Sequence, residues 1–420
     1  MSAPTTPFLE GVKETAAALT AVLPPTPLQE NLYLSGKHGA RIFLKREDLT
    51  PVRSYKLRGA FTFFRKALSA AVPPKRFVCA SAGNHAQGFA FACRHFGVEG
   101  VVFMPVTTPG QKIDKTRAFG GQNIRIELRG DIFDQCNAAA LAFAKAENAV
   151  MVPPFDHPDI IEGQATVGFE MLAQLREPID VLILPVGGGG LSAGVAQVFD
   201  ALSPETKIIL VEPSGAPSLR RSLEAGERVK LAQVDNFVDG AAVAQIGAEN
   251  WKVLQRFAPG DVTLIPEDQL CVTILDMLNI EGIVLEPAGA LEVEALRHLP
   301  AKTIKGKTVV AVTSGGNFDF ERLPEVKERA LKAAGLKKYY ILRLPQRPGA
   351  LKDFLTLLGP DDDISRFEYL KKSARNFGSI LLGIETKQAG NFERLETAMA
   401  QAGFQARDIT DDEVVANFIV

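Results

Sequence analysis

Short apolar runs at 42–45, 77–80, 100–104, 123–127, 181–185, 207–211 and 308–312 alternate with longer stretches whose apolar residues recur every three or four positions, as in 87–96, 132–144 and 163–175. The runs read as strands and the periodic stretches as helices, each covering one face of a sheet. Strands separated by helices predict mainly parallel sheets in an α/β fold. The stretch 325–338 departs from this pattern. It is rich in Lys, Glu and Ala, and it ends at Gly335 and two lysines before a new apolar strand, so it reads as a helical connector. Beyond it the pattern predicts a strand at 339–344, a helix at 348–358, a strand pair at 364–370 and 379–385, a helix at 392–402 and a final strand at 414–420. That βαββα order, closed by a last β, is the order of a split βαβ sandwich, an α+β fold. The expected division is an α/β domain over 1–325, a connector over 326–337 and an α+β domain over 338–420.

Composition changes this picture little. At 420 residues the chain is too long for one compact core. Its 46% hydrophobic and 23% charged residues are the balance of an ordinary globular protein. The 47 Lys and Arg nearly cancel the 49 Asp and Glu, and no basic block interleaved with aromatics occurs, so nucleic acid is not an expected partner. The longest apolar stretch, 181–199, is broken by Pro185 and four consecutive glycines, which makes it a buried strand running into a loop rather than a membrane span. Cys79, Cys93, Cys136 and Cys271 form no C-x-x-C pair, and the first thirty residues lack a basic segment followed by an apolar one. A cytoplasmic protein is expected.

Candidate chemistry sits at four strand ends. In KREDLTPVRSYKLRGA (45–60) a turn at Pro51 leads into a helix whose first turn holds Ser54, Tyr55 and Lys56. A lysine there feels the positive end of the helix dipole and loses proton affinity, which suits an amine acting as nucleophile and base. Alone, such a lysine is as a rule a solvated surface group. In SAGNHAQG (81–88) a strand ends in small polar residues before a helix begins; the residues Ser81, Ala82, Gly83, Asn84 and His85 can present N–H groups to a substrate carboxylate, or merely cap the helix. In PVGGGGLSAG (185–194) four glycines leave the backbone free to wrap a phosphate. The same residues fit a dinucleotide fingerprint through Gly188, Gly190 and Ala193, with Glu212 where a ribose-binding acid would sit, so a nicotinamide-dependent oxidoreductase is the rival reading. In TSGGN (313–317) Ser314 lies at a strand's C-terminal end, where it can reach a ring nitrogen, or the segment is only a glycine turn.

Together the four motifs resemble the threonine/serine dehydratase group of fold-type II pyridoxal-phosphate enzymes, over nearly all of the chain. The resemblance implies two α/β subdomains, with Lys56 forming the Schiff base to pyridoxal 5'-phosphate. Asn84 then bonds the cofactor's 3-hydroxyl, Gly187, Gly188, Gly189, Gly190 and Leu191 cradle its phosphate, and Ser314 partners its pyridine nitrogen. It further implies a small amino-acid substrate, dehydrated and deaminated: threonine to 2-oxobutanoate, serine to pyruvate. A second serine, which racemases of the group carry, is replaced here by Ala82. Two further segments agree, EGQATVGFE (162–170) and FVDGAAV (237–243). Glu286, in LEPAGA, resembles a position near a cation site in some relatives; no metal ligand set is otherwise expected. A β-replacement synthase and a non-catalytic amino-acid sensor remain as alternatives.

In LPQRPGAL (344–351), Pro348 and Gly349 form a strand-to-helix turn with free N–H groups for an amino acid's carboxylate. The stretch 339–385 is similar to the ACT-like domain of biosynthetic threonine dehydratases, in a single copy. This resemblance implies inhibition by isoleucine, opposed by valine, and a homotetramer. A dimerisation module with an empty site is the bland alternative.

Overall fold

A computed structural model describes residues 6–370 and 377–412; the strand expected at 414–420 lies outside the described residues. The chain forms two compact units, one of residues 1–267 with 277–318, the other of residues 268–276 with 319–420.

The first unit contains two sheets. The larger has the strand order Leu28–Glu30, Arg41–Arg46, Thr308–Thr313, Val181–Pro185, Lys207–Pro213 and Val262–Ile265, parallel except for its first pair. Its central strands are buried on both faces, which is why they are continuous Val, Ile and Leu runs and not alternating ones. The smaller, all-parallel sheet runs Ile124–Leu128, Glu99–Met104, Arg76–Ala80 and Val150–Met151. Helices Lys56–Leu68, Asn84–Phe96 and Pro158–Gln174 begin beside these strands, and the helix Gly190–Leu202 follows Val181–Pro185 directly. All seven expected strands are present, as are the three helices, with ends shifted by a few residues. The first helical residue of the lysine motif is Lys56 itself; Ser54 and Tyr55 precede the helix rather than lie within its first turn.

In the second unit the helix Leu323–Ala333 precedes a four-stranded antiparallel sheet of order Asp362–Leu370, Phe377–Thr386, Lys337–Pro345 and Gln405–Asp408. With helices Ala350–Leu355 and Asn391–Gln401 this is the split βαβ arrangement. Tyr340, Leu342, Phe354, Ile380, Leu382 and Leu395 form its core. The fourth strand is Gln405–Asp408, exposed along its length.

Among the described residues no helix is long and apolar enough to cross a membrane. All four cysteines are buried and unpaired.

Candidate active site

Lys56 opens its helix at a point where a neighbouring backbone comes unusually close. A Cβ on Gly88 would lie 3.1 Å from the Lys56 carbonyl, so any larger residue would force the Asn84–Phe96 helix and that backbone apart. The Lys56 Nζ donates to the Pro154 carbonyl at 3.1 Å and lies 6.0 Å from the centre of the Phe155 ring. Burial pulls its ammonium down to about 8, with Glu286 opposing. An amine whose proton affinity is lowered in this way is a competent nucleophile and base.

Phe155 joins this lysine to the glycine loop. A Cβ on Gly188 would run into the Phe155 ring, one on Gly190 would lie 3.1 Å from the Phe155 carbonyl, and one on Gly187 would lie 3.0 Å from Ala241 Cα. Gly189 has φ +92 and caps the helix Gly190–Leu202, which has no side-chain cap. The first-turn N–H groups of that helix therefore keep their hydrogen-bonding capacity for an anion.

The second and fourth motifs meet through side chains. Asn84 Nδ2 donates to Glu286 Oε1 at 2.5 Å, and Asn84 Oδ1 accepts from Asn317 Nδ2 at 2.8 Å. Asn317 also donates to the Val52 carbonyl at 2.8 Å. The Ser314 hydroxyl donates to the Ala288 carbonyl at 3.1 Å, and the Ser314 carbonyl accepts from Tyr55 N–H at 3.3 Å. The four motifs, scattered over more than 250 positions in sequence, are thus linked in space. In the 81–85 turn, Ser81 Oγ accepts from Gly83 N–H at 3.2 Å, and Ala82 packs against the smaller sheet's core. The His85 ring is buried against the Val152 carbonyl at 2.9 Å, and burial pulls its pKa down to about 3. It contributes to the turn by its backbone only.

Glu212 does not fit a ribose-binding role. It is fully buried and accepts from Leu219 and Arg220 N–H at 2.7 and 2.9 Å, so it caps its own following helix. No group of three or more His, Cys, Asp or Glu among the described residues could hold a metal ion, and Glu286 is engaged by Asn84.

Residues 19–315 match the family model described as "Pyridoxal-phosphate dependent enzyme", and residues 328–419 match "C-terminal regulatory domain of Threonine dehydratase". The biosynthetic L-threonine dehydratase of Bacillus subtilis is 46% identical over 94% of this chain and 93% of its own length. The chain belongs to the pyridoxal-phosphate-dependent threonine dehydratase family. Another such dehydratase, from Halalkalibacterium halodurans, is 43% identical over 96% of both chains. Among solved structures, the processed form of threonine deaminase isoform 2 from Solanum lycopersicum superposes with a TM-score of 0.71 at 37% identity, covering 79% of this chain and 90% of that one. The dehydratase family's cofactor is pyridoxal 5'-phosphate, and the residues present fit it: an uncapped helix start among closely packed glycines, and a half-buried amine of lowered pKa joined to them through Phe155.

Several residues of this dehydratase site had no signal in the sequence. Phe155 follows no recognisable spacing, and Asn317 closes the TSGGN motif with nothing there to announce its bond to Asn84. Nor does the buried cluster behind the Lys56 helix, where Arg58 contacts Glu47 and Glu170, and Lys45 contacts Glu170. Two charged residues spaced as Lys56 and Arg58 are could have flagged it, since neighbours two apart on a helix point to different faces.

Proposed function

We propose that the protein converts L-threonine to 2-oxobutanoate and ammonia, with serine to pyruvate as a side activity, as the first step of isoleucine biosynthesis in the cytoplasm. The observation that carries this reading is the half-buried Lys56 amine, joined through Phe155 to a glycine loop in which a side chain at Gly188 would run into the Phe155 ring.

Lys56 would hold the cofactor aldehyde, the N–H groups of 187–191 its phosphate, Asn84 its ring hydroxyl and Ser314 its ring nitrogen. When bound, the cofactor supplies an electron sink for the charge left at Cα. The chain's own residues do the rest. The 81–85 turn receives the substrate carboxylate on its N–H groups. Lys56 Nζ, its pKa pulled down to about 8 by desolvation, accepts the Cα proton. The β-hydroxyl leaves with a proton as water. A water then returns to release ammonia, so the net change is threonine to 2-oxoacid and ammonia. Ser314 is neutral and cannot hold a proton on the ring nitrogen as a carboxylate would, which favours loss of the β-group over transamination. With Ala82 in place of a second hydroxyl, the opposite face lacks a base and racemisation is disfavoured.

Residues 1–325 form the catalytic domain in this reading, 326–337 the connector and 338–420 a regulatory domain that takes isoleucine, with valine as its antagonist, in a homotetramer. The matched regulatory family and the Pro348–Gly349 turn support that assignment. An assay of 2-oxoacid formation from threonine, with and without isoleucine, tests both halves. No 2-oxoacid from the pyridoxal-phosphate-loaded protein overturns the catalytic reading, and indifference to isoleucine overturns the regulatory one.

A further inference from the structure

The glycine loop is held from behind by a residue outside all four motifs. The carbonyl oxygen of Gly188 accepts from Asn250 Nδ2 at 2.7 Å and from Gly247 N–H at 3.1 Å. The second hydrogen of Asn250 Nδ2 goes to the Phe155 carbonyl at 3.3 Å. A Cβ on Gly189 would lie 3.1 Å from Asn250 Cβ, so the amide packs directly against the loop. Asn250 is fully buried, and its Oδ1 has no hydrogen-bond partner.

That bare oxygen is informative. A buried, unsatisfied acceptor costs free energy, and a leucine would fill much the same volume without it. What the amide contributes at this place is its two donors. Their effect on the loop follows from peptide geometry. In a planar trans peptide the carbonyl of one residue and the N–H of the next point in opposite directions. Pinning the Gly188 carbonyl toward Asn250 therefore turns the Gly189 N–H away from Asn250.

The helix bearing Asn250, Ala248–Leu254, is itself fastened to the segment beside Lys56. The Asp156 carboxylate accepts from Ala248 N–H and Glu249 N–H, each at 2.8 Å. Phe155 and Asp156 thus hold Asn250 by adjacent residues, one at its side chain and one at its helix start, while the Phe155 ring closes over Gly188.

We infer that Asn250, braced by Asp156, is a positioning residue for phosphate binding: it fixes the orientation of the Gly188–Gly189 peptide and so shapes the loop that receives the cofactor phosphate. This rests on the proposed cofactor-binding role of residues 187–191. It assigns to Asn250 no contact with the cofactor itself.

The test separates the phosphate from the rest of the cofactor. Full-length protein, wild type and Asn250→Asp or Asn250→Leu, is dialysed against graded pyridoxal 5'-phosphate and, in parallel, against pyridoxal, which lacks the phosphate; binding is read from the visible absorption band. Losing the donors should raise the dissociation constant for pyridoxal 5'-phosphate roughly tenfold to hundredfold, while that for pyridoxal stays within about threefold of wild type. Unchanged affinity for pyridoxal 5'-phosphate overturns the inference, and so does an equal loss for both compounds, which marks a general packing role. Asp156→Ala leaves Asn250 in place but frees its helix start, and it must show the same phosphate-selective loss even if the Asn250 variants fail to fold. A wild-type protein that retained no pyridoxal 5'-phosphate would instead contradict the proposed function.

Discussion

Asn84 donates its side-chain amide to the buried carboxyl of Glu286 at 2.5 Å, while its carbonyl oxygen accepts from Asn317. Both ends of the amide are thereby fixed, and its orientation toward the Lys56 region is set before any ligand arrives. The Glu286 carboxyl is pushed up to about 7, by burial first and by Asp239 second, against the Asn84 bond and Lys112 and Lys115.

A group whose pKa is higher in the folded state than in the unfolded chain contributes stability that is fully present below the unfolded value and is lost as pH rises through the folded value. For Glu286 that window runs from the ordinary carboxyl value of 4.5 to about 7. Glu286→Gln keeps an acceptor for Asn84 and removes the titration. Across that window wild type should lose on the order of 3 kcal/mol relative to the variant, read from denaturation at a series of pH values. Parallel stability curves for the two proteins would contradict the assignment.

Gly188→Ala should expel the cofactor without unfolding the chain. Its Cβ meets the Phe155 ring, and overpacking of this kind costs roughly 1–3 kcal/mol. The purified variant is expected to be colourless with a near-native circular dichroism spectrum. Adding Phe155→Ala to it should restore part of the visible band.

Arg58 lies fully buried between Glu47, at 2.7 Å, and Glu170, also at 2.7 Å. Removing it leaves the buried Glu47 carboxylate without its cation, while Glu170 keeps Lys45, so Arg58→Met should destabilise the protein by about 3–5 kcal/mol, measured by urea denaturation. Arg58→Lys should recover only part of this, because an ammonium cannot serve two carboxylates as the planar guanidinium fork does.

Gly349 has φ +83, a conformation that costs an alanine up to about 1 kcal/mol. If the turn at Pro348 and Gly349 receives isoleucine, Gly349→Ala should raise the isoleucine concentration for half-inhibition by roughly fivefold. The rate without isoleucine should not change, and steady-state assays with increasing isoleucine check both values.

The central strands were legible because burial on both faces makes them continuous apolar runs, as in VLILP at Val181–Pro185. Strands without that constraint were not. Gln405–Asp408 is an exposed edge of four polar or small residues, and Leu28–Glu30 is likewise a short edge strand. Val262–Ile265 is a half-buried edge of four residues with no clear alternation. The same distinction holds at the site. Lys56, Asn84, the four glycines and Ser314 each stand in a local motif, so neighbouring residues announce them. Phe155 and Asn250 act on Gly188 from 33 and 62 positions away in sequence, through contacts that only the assembled fold creates. Ser54 and Tyr55 read as helical because they adjoin a run of strong helix formers, yet the helix starts only at Lys56, since Ser54 is held in an antiparallel bridge to Gly315.

The most direct test concerns the amine of Lys56. The pyridoxal-phosphate-loaded protein is reduced with borohydride and digested, and its peptides are mapped by mass spectrometry. A phosphopyridoxyl group on the peptide carrying Lys56, together with loss of 2-oxobutanoate formation in Lys56→Ala, is the expected result. Label on a different lysine, or full activity in Lys56→Ala, would contradict it.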